Sequence, residues 1–404
     1  MTGIAAQPIY LDHNATTPVD PRVVERITRS FLEVYGNPSS RTHAFGWRAE
    51  ECVEEARRQL AALIGAAKAK TLIFTSGATE SNNLAIKGAV RALRSRGDHV
   101  VTQVTEHKAV LDTLKALERE GVKVTYLPVD GEGRVDPGQV ANAIGDRTVL
   151  VSIMHANNEI GAVQPLTEIG ATCRARGVLF HCDAVQALGQ LDVNVERDAI
   201  DLLSISAHKM YGPKGVGALY VAPRRPAIRL EPLLHGGGQE RAWRPGTLNV
   251  PGIVGLGAAA EIARSEGAAH SRRIAELRDR LWRGLSERIE RIHRNGPESG
   301  RLPNNLNVSF ECIEGESLMM SVPEIAVASG SACTSALKEP SHVLKAIGRS
   351  DELAHSSIRF GLGRSTTEAE VDATVECLVR AIERLRAMSP LWPSARRGRA
   401  RASA

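Results

Sequence analysis

The chain has 404 residues, enough for two or three domains with at least one sizeable core. Its 43% apolar and 24% charged residues are ordinary for a globular protein, and a dispersed net charge of +5 is too small to argue for nucleic acid. No run approaches the ~18 apolar residues of a membrane helix, Met1 to Tyr10 reads as carrying no secretory signal, and scattered cysteines without a Cys-x-x-Cys pair predict free thiols in a cytoplasmic setting.

From Phe31 to Pro251 strand-like runs alternate with helix-like stretches. Strands are predicted at 72–75, 100–104, 122–127, 149–153, 178–182, 202–206 and 216–221, and helices at 80–94, 109–120 and 169–176. That alternation predicts an α/β fold: a mostly parallel sheet with helices on both faces, its ligands at the carboxyl ends of the strands. After Pro251 the texture changes to a charged, helix-rich stretch (258–290), short strands (305–310, 325–328, 356–360) and a last helix (368–388). The expected division is a large domain at 16–260 and a smaller α+β domain from 1–15 and 261–392, which carries a mobile loop at about 326–340. The tail 393–404, with Arg396, Arg397, Arg399 and Arg401, reads as disordered or, alternatively, as a basic interaction arm.

Several predicted strand ends carry chemistry. Lys209 closes Ser206-Ala207-His208-Lys209, and Asp183 closes the apolar run from Val178. A lysine amine and a carboxylate so placed can hold pyridoxal phosphate, the lysine as Schiff-base partner and the acid keeping the ring nitrogen protonated. Thr75-Ser76-Gly77-Ala78-Thr79-Glu80 opens a helix after a strand, which suits either a phosphate or a simple N-cap. His107 is placed to stack on a flat ring and shuttle protons, or only to cap the next helix. Asn157 and Gln186 could hydrogen-bond a ring oxygen and a substrate carboxylate, or tie down turns. Arg359, in an apolar strand, needs a partner: a bound carboxylate or an internal acid at the domain interface. Cys333 sits among Ser, Gly, Ala and Thr, which suits an accessible thiol; a buried loop cysteine is the other reading. His181-Cys182-Asp183 looks like a metal cluster, but strand neighbours point to opposite faces, so the three cannot grip one ion.

The ordered set of segments resembles the cysteine desulfurases of the IscS/NifS type. It comprises Tyr10-Leu11-Asp12-His13-Asn14-Ala15-Thr16-Thr17-Pro18, Phe74 to Ser81, Thr105-Glu106-His107-Lys108-Ala109-Val110-Leu111, Ser206 to Lys209, Ser331-Ala332-Cys333-Thr334-Ser335 and Ser389-Pro390-Leu391-Trp392. The resemblance implies fold type I of the pyridoxal-phosphate transferases and conversion of L-cysteine to L-alanine. It implies Lys209 as the cofactor-linked lysine, Asp183 at the ring nitrogen, His107 stacked as acid/base, and Gln186 at the ring oxygen. Ala78, Thr79, Ser206 and His208 would be around the phosphate, and Asn157 at both cofactor and substrate carboxylate, the latter shared with Arg359. It further implies a homodimer in which Thr247 reaches the partner's cofactor. Sulfur would be held as a persulfide on Cys333, which could also ligate iron–sulfur transiently, and passed to an iron–sulfur scaffold, other sulfur acceptors or tRNA thiolation. The segment after Trp392 departs from the extended family C-terminus that helps dock the scaffold.

Overall fold

The computed structural model describes residues 8–329, 340–390 and 392. Cys333, the centre of the expected 326–340 loop, and the tail 393–404 lie outside the described residues. In chain order the described strands are β1 (Ile9–Tyr10), β2 (Leu72–Thr75), β3 (His99–Gln103), β4 (Lys123–Leu127), β5 (Thr148–Ser152), β6 (Leu179–Asp183), β7 (Leu202–Ser206), β8 (Gly217–Val221), β9 (Ile292–Asn295), β10 (Asn305–Phe310), β11 (Ile325–Ala326), β12 (Ala328–Ser329) and β13 (Ser357–Gly361).

Seven of them form one sheet in the order β2-β8-β7-β6-β5-β3-β4. The pairings among β7, β6, β5, β3 and β4 are all parallel. Side chains alternate between its two faces, as a pleated strand requires. Val101, Val151 and Phe180 enter one core with Val53, Leu60 and Ile169, while Val100, Leu150 and Leu179 enter another with Leu84, Ile86 and Leu114. Helices Ala44–Leu63 and Leu166–Arg176 supply the first face, and Ala78–Ala92 and Lys108–Arg119 the second.

β8 runs antiparallel to both of its neighbours. The physical reason is the short link from Ser206 to Gly217, because a parallel return needs a crossover of about a dozen residues or more. Lys209 sits in that reversing link, at the carboxyl end of β7. Thr75, Asp183 and Ser206 end β2, β6 and β7 along the same sheet edge.

The helix Val250–Arg288 is 39 residues long, with Pro251 in its first turn, where the missing N–H costs nothing. Its first half (Val250, Ile253, Leu256, Ile262) belongs to the sheet's core and its second half (Ile274, Leu277, Leu281, Leu285) to a separate core. The expected helix start at Ala258 is therefore too late, and the expected boundary at 260/261 falls inside a continuous helix. Glycines misled the pattern: a Cβ on Gly257 would meet Ala56 Cα at 2.6 Å, so the glycine is there for close helix contact.

The second core lies against a four-stranded antiparallel sheet, β12-β13-β10-β9. The expected strand 325–328 splits: β11 pairs parallel with β1, and β12 pairs antiparallel with β13. The N-terminal segment is thereby stitched beside β13, with Leu11 in the second core and Asp12 bridged to Gly361.

Candidate active site

A cavity of about 730 Å³ opens where the ends of β2, β5, β6 and β7 meet β13 and the N-terminal segment. Of the expected residues, Ala78, Thr79, His107, Asp183, Gln186, Ser206, His208, Lys209 and Arg359 all line it. They come from positions nearly three hundred residues apart, and the parallel strand ends are what gathers them.

Asp183 is buried, and its carboxylate accepts from Asn82 Nδ2 at 2.7 Å and from the Val185 N–H at 3.1 Å. Lys209 Nζ donates to the Asn14 carbonyl and, at 2.6 Å, to that of Ala15. The helix Ala78–Ala92 starts at Gly77 without a side-chain cap. Its first N–H groups have no intrahelical partner and face an anion favourably. Gly77 itself has φ +152°, and a Cβ there would meet nothing within 4 Å, so the backbone approaches the cavity bare. Glu80 accepts from Ser76 N–H at 2.7 Å and pairs with Arg244 at 3.0 Å.

His107 caps the next helix and also lines the cavity. Its Nδ1 accepts from the Ala109 N–H at 3.1 Å as the N-cap of Lys108–Arg119, which leaves the ring proton of a neutral imidazole on Nε2, and the side chain lines the cavity. His208 Nδ1 is 3.1 Å from Thr16 Oγ1; burial, then Lys209 and Lys214, push its pKa down to about 4, so it is neutral at neutral pH.

Asn157 is one exception. It is fully buried and absent from the cavity wall: Nδ2 donates to the Thr105 carbonyl at 2.9 Å, and Oδ1 accepts from the Glu159 and Ile160 N–H groups at 2.9 and 3.0 Å. These bonds tie down its turn, and its neighbour Asn158 lines the cavity. Gln186 lines the wall but is held by Asn14 in a reciprocal pair, Nε2 to Asn14 O at 3.0 Å and Asn14 Nδ2 to Oε1 at 3.1 Å. Arg359 lines the wall and makes the internal ion pair as well, Nη2 to Asp12 Oδ1 at 2.9 Å. Thr247 is exposed and does not line this chain's own cavity.

Sequence reasoning missed Asn14, Asp12, Asn82 and Asn158 as wall or support residues. Asn82 had a signal: it lies four positions after Ala78, one turn along the same helix face. Glu240 had none; its left-handed backbone (φ 45°) and a buried pair with Arg57 at 2.8 Å fasten the loop before Thr247 to β2, where it accepts from the Phe74 N–H at 2.7 Å.

His181 is fully buried between Ser152 Oγ (2.8 Å) and Ser204 Oγ (3.0 Å), and burial pushes its pKa down to about 3. It bridges three strands as a neutral ring. Among the described residues no group of three His, Cys, Asp or Glu side chains could hold a metal ion.

Two buried acids lie behind the wall. Glu106 accepts from the Met154 N–H, and burial, reinforced by the charge of Asp183, pushes its carboxyl well above the usual range. Glu159 accepts from the Ser341 hydroxyl, and burial pushes its carboxyl up to about 7 against the downward pull of Ser341, Arg359 and His107. Folded Glu159 thus keeps a proton that the unfolded chain gives up near 4.5. Its cost is absent below that pH, grows as pH rises, and is complete above about 7, at about 3 kcal/mol. Glu159→Gln should therefore lose less stability than the parent between about pH 5 and about pH 8. Equal drops in denaturant midpoint would contradict this.

The donor set fits pyridoxal phosphate: an uncapped helix N-terminus with Thr79 and Ser206 for a phosphate, a buried carboxylate held by two donors for a ring nitrogen, and a lysine amine on the same wall. The family model for aminotransferase class-V matches residues 9–374. The chain belongs to the aminotransferase class-V family. Within that family it is 58% identical over 391 residues to the cysteine desulfurase IscS of Anaeromyxobacter sp. (strain Fw109-5), covering 97% of this chain and 96% of that one. It is 54% identical over 393 residues to the cysteine desulfurase IscS of Pectobacterium atrosepticum, again covering 97% and 96%. Among solved structures, a NifS-like protein superposes with TM-score 0.86 at 38% identity, covering 93% of this chain and all of the other. SspA in complex with cysteine gives TM-score 0.79 at 38% identity, covering 89% of this chain and 100% of the other. This family member thus groups with the cysteine desulfurases, and its cofactor is pyridoxal phosphate.

Proposed function

We propose that the protein is a cysteine desulfurase that takes L-cysteine to L-alanine and hands the sulfur on from Cys333. The observation that carries this reading is the meeting of Lys209 and Asp183 on one cavity, on the ends of adjacent strands. When bound, pyridoxal phosphate supplies an electron-withdrawing ring that weakens bonds at the amino acid's Cα. The uncapped helix start, Thr79, Ser206 and His208 would hold its phosphate. Asp183, kept in place by Asn82 and Val185, would hold its ring nitrogen, and Gln186 would bond its ring oxygen.

Arg359 receives the substrate carboxylate. Lys209 takes the Cα proton, and His107, with its ring proton on Nε2, is the second proton carrier. The Cys333 thiolate attacks the substrate sulfur: an S–S bond forms, the Cβ–S bond breaks, and its electron pair stays with the carbon fragment, which takes up protons to become alanine. Cys333 then bears a persulfide for an iron–sulfur scaffold protein or another sulfur acceptor. Asn157 contributes from behind the wall, by fixing the loop that presents Asn158.

A homodimer is part of the proposal. Phe31, Leu32, Tyr35, Phe45 and Trp47 are all about half exposed or more, and the Tyr35 and Phe45 rings lie 5.4 Å apart. Apolar surface of that extent suits a second copy. Exposed Thr247 is free of its own cavity and so available to the partner's cofactor. A cytoplasmic setting agrees with the free state of all described cysteines, and no described helix is long and apolar enough to cross a membrane.

The test is product identity. L-Cysteine added to the loaded protein with a thiol reductant should shift the absorbance near the visible edge and give alanine and sulfide one for one. Cysteine consumed without alanine would make the protein a different pyridoxal enzyme.

A further inference from the structure

Arg359 projects from β13 into the cavity wall with a side chain only 3% exposed. Its guanidinium has two partners: Nη2 donates to Asp12 Oδ1 at 2.9 Å and Nη1 to the Asn158 carbonyl at 3.2 Å. The third nitrogen, Nε, is buried without a hydrogen-bond partner among the described residues. Asp12 is no loose surface acid. The His13 N–H donates to the Gly361 carbonyl at 3.0 Å and the Gly361 N–H to the Leu11 carbonyl at 2.7 Å, so the backbone on both sides of Asp12 is fixed to β13. Asp12 itself lines the cavity.

We infer that Asp12 tunes substrate affinity: it is a built-in carboxylate that competes with the amino acid's carboxylate for Arg359. The inference rests on the reading that Arg359 receives that carboxylate. One guanidinium carries one positive charge, and Asp12 already holds one of its charge-assisted hydrogen bonds. An incoming carboxylate must either displace Asp12 from Nη2 or share the charge with it. Affinity for any α-amino acid is then the difference between two carboxylates, not the full strength of one. Substrate and product carry the same carboxylate, so Asp12 weakens both alike. That keeps L-alanine from accumulating on the enzyme. The effect is uniform through the reaction, so it acts on KM and leaves kcat nearly unchanged.

Asp12→Asn keeps the shape and an oxygen acceptor for Nη2 while removing the competing charge. It should lower both the KM for L-cysteine and the calorimetric dissociation constant for L-alanine, on the order of tenfold each. Both proteins carry the cofactor, and matching thermal midpoints establish that the variant is folded; Asp12→Ala is the second variant if they differ. If Asp12 serves only to orient Arg359, both constants rise instead, and the inference is overturned. Arg359→Lys separates the two levels. It should weaken L-alanine binding at least about tenfold, and Asp12→Asn should then add nothing in that background. Unchanged L-alanine binding in Arg359→Lys removes the carboxylate reading and this inference together. Weakened binding there, with no tightening in Asp12→Asn, removes this inference alone.

Discussion

Lys209→Ala is expected to lower turnover of L-cysteine roughly a thousandfold, the scale of a lost general base. Lys209 occupies the link that reverses the chain between β7 and β8, and its amine reaches the carbonyls of Asn14 and Ala15 across 194 or more sequence positions. Among the described residues no other lysine amine shares this position: Lys214, the other described lysine on the wall, lies farther along the same link. The phosphate and ring contacts proposed for Thr79, Ser206, His208 and Asp183 are untouched by the change. The variant should therefore still take up pyridoxal phosphate and stay coloured, but borohydride should no longer fix the cofactor to the chain. A normal borohydride-fixed adduct in Lys209→Ala would assign the link to a different amine.

Cys333→Ser should keep the cofactor's yellow absorbance and lose sulfide release by on the order of a hundredfold or more, because a serine hydroxyl cannot act as the sulfur nucleophile. The other cysteines offer no substitute. Burial raises the thiol pKa of Cys173 to about 12 and of Cys377 to about 11, pushes Cys182 well above the usual range, and raises Cys52 and Cys312 too. None of the five lines the cavity. Alanine formation at a near-normal rate in Cys333→Ser would remove the persulfide step from the mechanism.

Local pattern carried much of this protein. The apolar runs that become β2 and β5 to β8 are bounded by Gly, Ser and Asp, and their ends could be marked to within about one residue. The C-terminal helix Glu368–Met388 matches the stretch expected from the sequence, and in the structure Thr367 and Glu370 form a capping box at its start. Pattern failed where two elements share one stretch or one element spans two cores. Residues 325–328 look like one strand but serve two sheets, and Val250–Arg288 looks broken by glycine but is one helix.

The sequence by itself determined which side chains stand at strand ends, since apolar periodicity and its stops are local, and with them Lys209, Asp183 and the anion-ready start of Ala78–Ala92. Only the tertiary structure decided who partners whom: Asp12 with Arg359 across 347 positions, Asn82 with Asp183 across 101, and Asn157 with Thr105 across 52. Hydrogen-bond partners are chosen by proximity after the layers pack, and the one-dimensional pattern holds no record of that proximity.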